Sequence, residues 1–224
     1  VAPHPVGHVG ICAGRVTTMS GIVSIAIRGR GGHSSNPQLS IDPVLIASEV
    51  TLMLNTIVSR DVDPKHMNIV NVGSLHSGEA GNVIPDTANL EVSIRSVDEA
   101  DWEIVCQRIE AVVNGVCQAH GAQATFDWQI PYPMVVNADI AVNRAWHAAT
   151  KAVGNSKVFA ADPWAPSDDF SYFSREAPGC YMFLGTGGPE AGNPFFLHNS
   201  KFKIVERAMV NGMRTEIQIA LDAL

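Results

Sequence analysis

Lysine is scarce, five in 224 residues, and no basic run is present. The 15 Lys and Arg stand against 22 Asp and Glu, a net charge of −7, so a phosphate backbone would be repelled rather than neutralised. No stretch approaches the ~18 consecutive apolar residues of a membrane-spanning helix. Nucleic acid and membrane are therefore not expected as partners. Cysteine is sparse as well: Cys12, Cys106, Cys117 and Cys180 contain no CxxC pair. Cys106 and Cys117 sit in one helical pattern about 16 Å apart, beyond the ~7 Å limit for a bridge. They read as buried thiols of a reducing compartment. HExxH, GxSxG, a Walker loop and a zinc-finger spacing are all missing. The glycine-rich segment 185–192 has the composition of a phosphate loop, but Pro189 and Asn193-Pro194 oppose the helix whose N-terminus would receive the phosphate.

What is present is an ordinary globular composition, 46% hydrophobic and 17% charged, which excludes disorder. The length allows one large domain or two small ones. The chain opens on Val1 rather than Met, and its first seven residues have neither a basic nor an apolar leader region. The expectation is that something upstream has been removed or is not included.

Alternating β-branched residues predict a strand over 21–28, broken at Gly29-Arg30-Gly31-Gly32-His33. Asp42-Pro43 reads as an N-cap followed by proline at the first helical position, with Ile46, Val50, Met53, Leu54 and Ile57 carrying one helical stripe to about Ser59. Strands follow over 68–76 and 88–95, around a glycine-containing loop. Asp98 caps a second helix, with Val105, Ile109, Val112, Val113 and Val116 on one face, stopped at Gly121. A strand from Gln123 to Ile130 completes a ferredoxin-like strand-helix-strand-strand-helix-strand order. Beyond Pro131 come a helix over 138–153, a strand over 180–184 and a closing helix over 205–224. Met209, Met213, Ile217, Leu221 and Leu224 are expected to form the buried face of that last helix. Few strands are left for this part, so it is expected to need a partner segment.

Polar residues at turns beside apolar strands are the candidates for chemistry. His33 follows two glycines that permit close approach, and reads as a surface turn histidine or as a site residue. Asn82, in the loop, and Arg95, ending the next strand, are either an ordinary turn and strand end or a carboxylate grip reaching one end of the sheet. Asp168 and Asp169 suit a helix N-terminus as well as a metal or acid-base role. His198, in Phe195-Phe196-Leu197-His198-Asn199, is a satisfied core histidine or a ligand for a divalent metal.

Eight strings in chain order carry a resemblance: Pro5-Val6-Gly7, Gly29-Arg30-Gly31-Gly32-His33, Asp42-Pro43, Gly81-Asn82-Val83-Ile84-Pro85-Asp86, Ser93-Ile94-Arg95, Tyr132-Pro133, Asp169-Phe170 and Leu197-His198. The chain resembles the second half of the M20 family of metallopeptidases and amidohydrolases, in the branch of hippurate hydrolases, N-acyl-amino-acid amidohydrolases and auxin-conjugate hydrolases. It departs from that family at Gln38, where many relatives have histidine, and at Asp168, where glutamate is usual. The resemblance implies an α/β (α+β) protein with three parts: 1–17 as a remnant of the catalytic domain, 18–130 as a ferredoxin-like βαββαβ lid for dimerisation, and 131–224 as the C-terminal part of an incomplete α/β metallopeptidase domain. It implies His33 as an oxyanion donor acting on the partner subunit's site, Asn82 and Arg95 as binders of the substrate carboxylate, and His198 as the last metal ligand. The cofactors implied are two divalent ions, zinc first, with manganese, cobalt or nickel as alternatives. The family's other metal ligands and its general-base glutamate lie in an N-terminal segment absent here, so this chain alone is expected to be inactive. The implied substrate is a small N-acyl amino acid, and the implied assembly a homodimer through the lid. A cytoplasmic location is expected from cysteine usage. The competing readings are a non-catalytic dimerisation or binding module, and a fragment that complements a separately made N-terminal half.

Overall fold

The computed structural model describes residues 4–192, 195 and 197–224, and the chain divides into two compact units, Thr18–Pro133 and Val1–Thr17 with Met134–Leu224. The second of these units opens the chain with β1 (Val9–Ile11) and β2 (Gly14–Arg15). The first then supplies β3 (Met19–Arg28), β4 (Gly32–His33), α1 (Pro43–Leu54), α2 (Ile57–Arg60), β5 (Asn68–Ser77), β6 (Val83–Ile84), β7 (Thr87–Ser96), α3 (Glu99–His120) and β8 (Gln123–Trp128).

In the Thr18–Pro133 unit the main sheet has the order β5-β7-β3-β8, antiparallel throughout, which is the ferredoxin-like arrangement expected from the element order. Period-two alternation sends Val23, Ile25 and Ile27 of β3 and Leu90, Val92 and Ile94 of β7 to one face. There they meet Ile46, Val50 and Leu54 of α1 and Val105, Ile109 and Val113 of α3 in one core. Asp98 caps α3 by accepting from the backbone N–H of Ala100 (2.9 Å) and Asp101 (3.0 Å). Gly121, at φ 74°, closes it with bonds back to Cys117 and Gln118.

The first helix ends earlier than its apolar stripe suggests. Asn55 donates from its side chain to the carbonyl of Thr51 (2.7 Å), and the Thr56 hydroxyl to that of Met53 (2.7 Å). These local bonds occupy carbonyls that a continuing helix would use, so the chain turns and Ile57 enters the core from the separate α2. A second irregularity is the bulge at Gly73, between Val72 and Ser74 of the edge strand β5.

In the other unit β1 lies between β10 (Val158–Ala160), parallel to it, and β11 (Met182–Leu184), antiparallel. The remaining elements are β9 (Val136–Asn137), paired with β2, then α4 (Asp139–Val153), α5 (Phe170–Glu176) and α6 (Ala208–Ala223). Val9 and Ile11 pack with Ala145 and Ala149 of α4, while Phe183 packs on the opposite side with Cys12, Val16 and Val135. Asn137 is a buried clasp: its amide donates to the carbonyls of Cys12 (2.8 Å) and Tyr181 (3.0 Å) and accepts from the Tyr181 N–H (2.6 Å).

The closing helix corrects an expectation. Its large apolar residues face outward, with Met213 62%, Ile217 57% and Leu221 59% exposed. The inward face carries Ala208, Thr215 and Ile219, and Gly212 lies against Leu184. Small side chains there allow a close approach to the rest of the unit, and the methionine-leucine stripe lies on the opposite side. Among the described residues no helix is long and apolar enough to cross a membrane.

Candidate active site

His33 is positioned by a short ladder that local sequence signals do not reveal. The glycine turn brings β4 against β6, with His33 opposite Val83, and Ser34 donates to the carbonyl of Asn82 (3.1 Å). Two glycines make this possible. A Cβ at Gly29 would overlap the carbonyl of Ile41, and one at Gly31 would lie 2.7 Å from the carbonyl of Ile84. The N–H of Gly31 is also held by the Asp86 carboxylate at 2.8 Å. His33 thus faces Val83 across the ladder, and Asn82 is the residue just before Val83; both His33 and Asn82 are exposed.

The histidine is oriented. Its Nδ1 accepts from the backbone N–H of Ser35 (3.2 Å) and meets the Ser35 hydroxyl at 2.8 Å. Because an N–H group only donates, this arrangement places the proton of the neutral imidazole on Nε2. Nε2–H is then an outward-facing donor.

Arg95 is elsewhere. It lies on β7 between Ser20 of β3 and Ile69 of β5, at the end of the sheet opposite the 77–87 loop. Eight residues of extended strand separate Thr87 from Arg95, about 27 Å at ~3.4 Å per residue. The sequence reading that sends Asn82 and Arg95 to one end of the sheet is therefore corrected, since β7 runs its full length between them.

In the other unit Asp168 is committed to structure. One carboxylate oxygen accepts from the N–H of Phe170 at the start of α5 (2.9 Å), and the other from the Tyr181 hydroxyl (3.0 Å). Burial, with the Asp168 bond second, pushes the Tyr181 phenol up to about 12. His198 is exposed and, among the described residues, is the non-glycine with a left-handed backbone, φ 67°. Histidine tolerates that region better than most residues, and such outliers concentrate at ligand positions. Of the segment around it, Asn193, Pro194 and Phe196 lie outside the described residues.

One polar network escapes sequence reasoning. Buried Asp101 accepts from His66 Nδ1 (2.9 Å) and from the Asn68 amide (2.7 Å), and Ser96 donates to the Asn68 side-chain carbonyl (2.7 Å). The bond to Asp101 raises the pKa of His66. The available signal was Asn68 itself, a polar residue in phase with the inward-facing Val70 and Val72. His66, Asp98 and Asp101 have donors close enough to hold a metal, but Asp101 is already bonded to His66 and Asn68 and Asp98 to backbone N–H groups, so the cluster reads as a clasp on the start of α3. Burial raises the pKa of all four thiols, taking Cys106 and Cys180 to about 11, and all four are unpaired.

The family model of the M20 peptidase dimerisation domain matches residues 6–120. The chain belongs to the M20 peptidase family. It is 31% identical to a hippurate hydrolase from Campylobacter jejuni over 94% of its own length and 54% of the relative. With an N-acetylcysteine deacetylase from Bacillus subtilis it shares 30% over 98% of this chain and 56% of that one. A crystal structure of a Bacillus subtilis protein, described as a dinuclear metal binding peptidase of the M20 family, superimposes with a TM-score of 0.76 at 24% identity, covering all of this chain and 55% of that one. This M20 chain spans about half the length of the curated relatives it matches.

Proposed function

We propose that these residues form the lid and C-terminal part of a metal-dependent amidohydrolase that releases an amino acid from an N-acyl conjugate. The observation that carries the reading is an oriented imidazole on the short ladder that Asn82 leads into, at one end of the lid, with a guanidinium at the other. A small N-acyl amino acid is about three extended residues long, ~10 Å, and cannot touch both ends of one lid. In a two-fold homodimer His33 and Asn82 serve one site and Arg95 the other. The edge strand β5 and outward residues of α1 such as Leu52, 73% exposed, support a pairing surface for a second copy.

Arg95 binds the substrate carboxylate through parallel charge-assisted bonds. Nε2–H of His33 donates to the oxygen that becomes negative as the amide carbonyl is attacked, and Asn82 orients the conjugate beside it. His198 fits a metal donor: it is an exposed imidazole on a left-handed backbone. One ligand does not make a two-ion site, so the other ligands belong to a metal-binding half. When bound, two divalent ions, zinc in the first instance, would supply Lewis-acid polarisation of the carbonyl and a water of lowered pKa. The outward stripe of α6 offers a surface for that half, and the chain alone is inactive. Unpaired thiols favour a reducing, cytoplasmic setting.

The test is hydrolysis by the complete enzyme. It should cleave benzoylglycine-type conjugates, lose activity to a chelator and regain it with a divalent ion. Arg95→Ala should raise KM for carboxylated substrates and leave neutral analogues nearly unchanged, and equal losses on both would refute the binding role. A second reading, a dimerisation module without catalysis, is favoured by the match of residues 6–120 to a peptidase dimerisation domain. Stoichiometric, tight zinc binding by the isolated chain would count against it.

A further inference from the structure

The carboxylate anchor does not end with Arg95. Two neighbouring residues lie in register with it. Arg95 on β7 faces Ser20 on β3, and Ser20 faces Tyr132 through a reciprocal pair of backbone bonds, 3.0 and 2.8 Å long. Directly opposed residues in antiparallel pairs place their side chains on one face. That face is the one away from the helices, because Met19 and Ile94 are buried and Gly21 packs against Trp102 of α3. Tyr132 is 44% exposed there.

At ~4.8 Å per strand, Arg95 and Tyr132 stand about 10 Å apart with the short Ser20 between them. The register thus sets a guanidinium, a hydroxyl and a phenol in one row on this face. A carboxylate offers about four acceptor sites, and the arginine fork fills two of them. The remaining two match the hydroxyls of Ser20 and Tyr132.

We propose that Ser20 and Tyr132 complete a three-residue clamp for the substrate's free carboxylate. Tyr132 is a specificity-determining residue that separates N-acyl amino acids from their neutral amides. This inference rests on the amidohydrolase reading and extends its carboxylate site.

The experiment compares a carboxylated conjugate with its carboxamide in the complete enzyme. Tyr132→Phe keeps the ring and removes one donor, and is expected to raise KM for the carboxylate about tenfold, with kcat unchanged and the carboxamide unaffected. Ser20→Leu, which removes the hydroxyl and adds bulk between Arg95 and Tyr132, should produce the same selective rise. If Arg95→Ala is selective and Tyr132→Phe is not, the clamp is overturned and the Arg95 anchor stands. Equal loss on both substrates with Tyr132→Phe would indicate packing and also overturn it. If Arg95→Ala itself shows no selectivity, the anchor fails and takes the clamp with it.

Discussion

Two impaired variants of the complete enzyme, His33→Ala and Arg95→Ala, should recover activity on a carboxylated substrate when mixed and allowed to exchange subunits. The length of β7 sets the outcome, since ~27 Å separates the two ends of one lid, and under the proposed function the two residues serve different sites of a homodimer. A mixed dimer then has one site with both residues intact and one with neither. Random exchange makes about half the dimers mixed, so about a quarter of wild-type activity returns. The parents sit far below that: loss of an oxyanion donor costs about 10²–10³ in kcat. Loss of a charged hydrogen-bond partner costs about 1.5–3 kcal/mol of substrate binding. The control is the pair His33→Ala and Asn82→Ala, which both lie at the β4–β6 end of the lid. Each mixed site lacks one member of that pair, so no recovery is expected. The assay is initial rate below KM, before and after exchange. Recovery with the second pair, or none with the first, would refute the assignment of the two lid ends to different sites.

Other expectations follow from the packing. Gly29→Ala drives a methyl group into the Ile41 carbonyl and should lower stability by about 1–3 kcal/mol in urea unfolding, with loss of His33 positioning. Asp98→Ala removes both side-chain caps of α3 and should cost about 0.5–2 kcal/mol in the same assay. His66 has a raised pKa when folded, so its bond to Asp101 adds stability that is full below the unfolded value of about 6.5 and fades as pH rises through the folded one. A thermal melt series across that window should show His66→Ala flattening this part of the profile, and an unchanged profile would dispose of the coupling. Met213→Glu on the outward face of α6 should change the stability of the isolated chain by no more than about 0.5 kcal/mol and still block its association with a metal-binding half, measured by co-purification.

Local chemistry reaches most of the lid. Asp42, Asp98 and Gly121 mark helix ends by the bonds they make, and the alternation along β3 and β7 names the core face without reference to any partner. Three features lie beyond it. The interruption after Leu54 depends on side-chain bonds from Asn55 and Thr56 that compete with an intact apolar stripe. The pairing of His33 with Val83, which brings the backbone of Asn82 to Ser34, joins residues fifty positions apart, and periodicity carries no information about it. The outward stripe of α6 is a third case: amphipathicity identifies an apolar face but not what covers it, and here the small residues make the contact within the unit. Of the site candidates, His33 and Arg95 are visible as polar residues beside glycines or at a strand end, whereas their separation needs the register of β7.

The chain leaves β2 and returns to β9 at neighbouring points. Val16 donates to the carbonyl of Val135 (2.8 Å), and the N–H of Val135 donates to the Thr17 hydroxyl (2.9 Å). The strands on either side, β1 with β10 and β11, are distant in sequence and pair only after the intervening segment has been drawn together. Contacts within Thr18–Pro133 are more local and should form sooner, leaving a compact insert whose two ends emerge side by side. By shortening the loop that β1 must close, the insert lowers the entropy lost in that step. The lid is thus expected to act as a folding clasp, and a slow phase that vanishes when the insert is replaced by a short turn would be its kinetic trace.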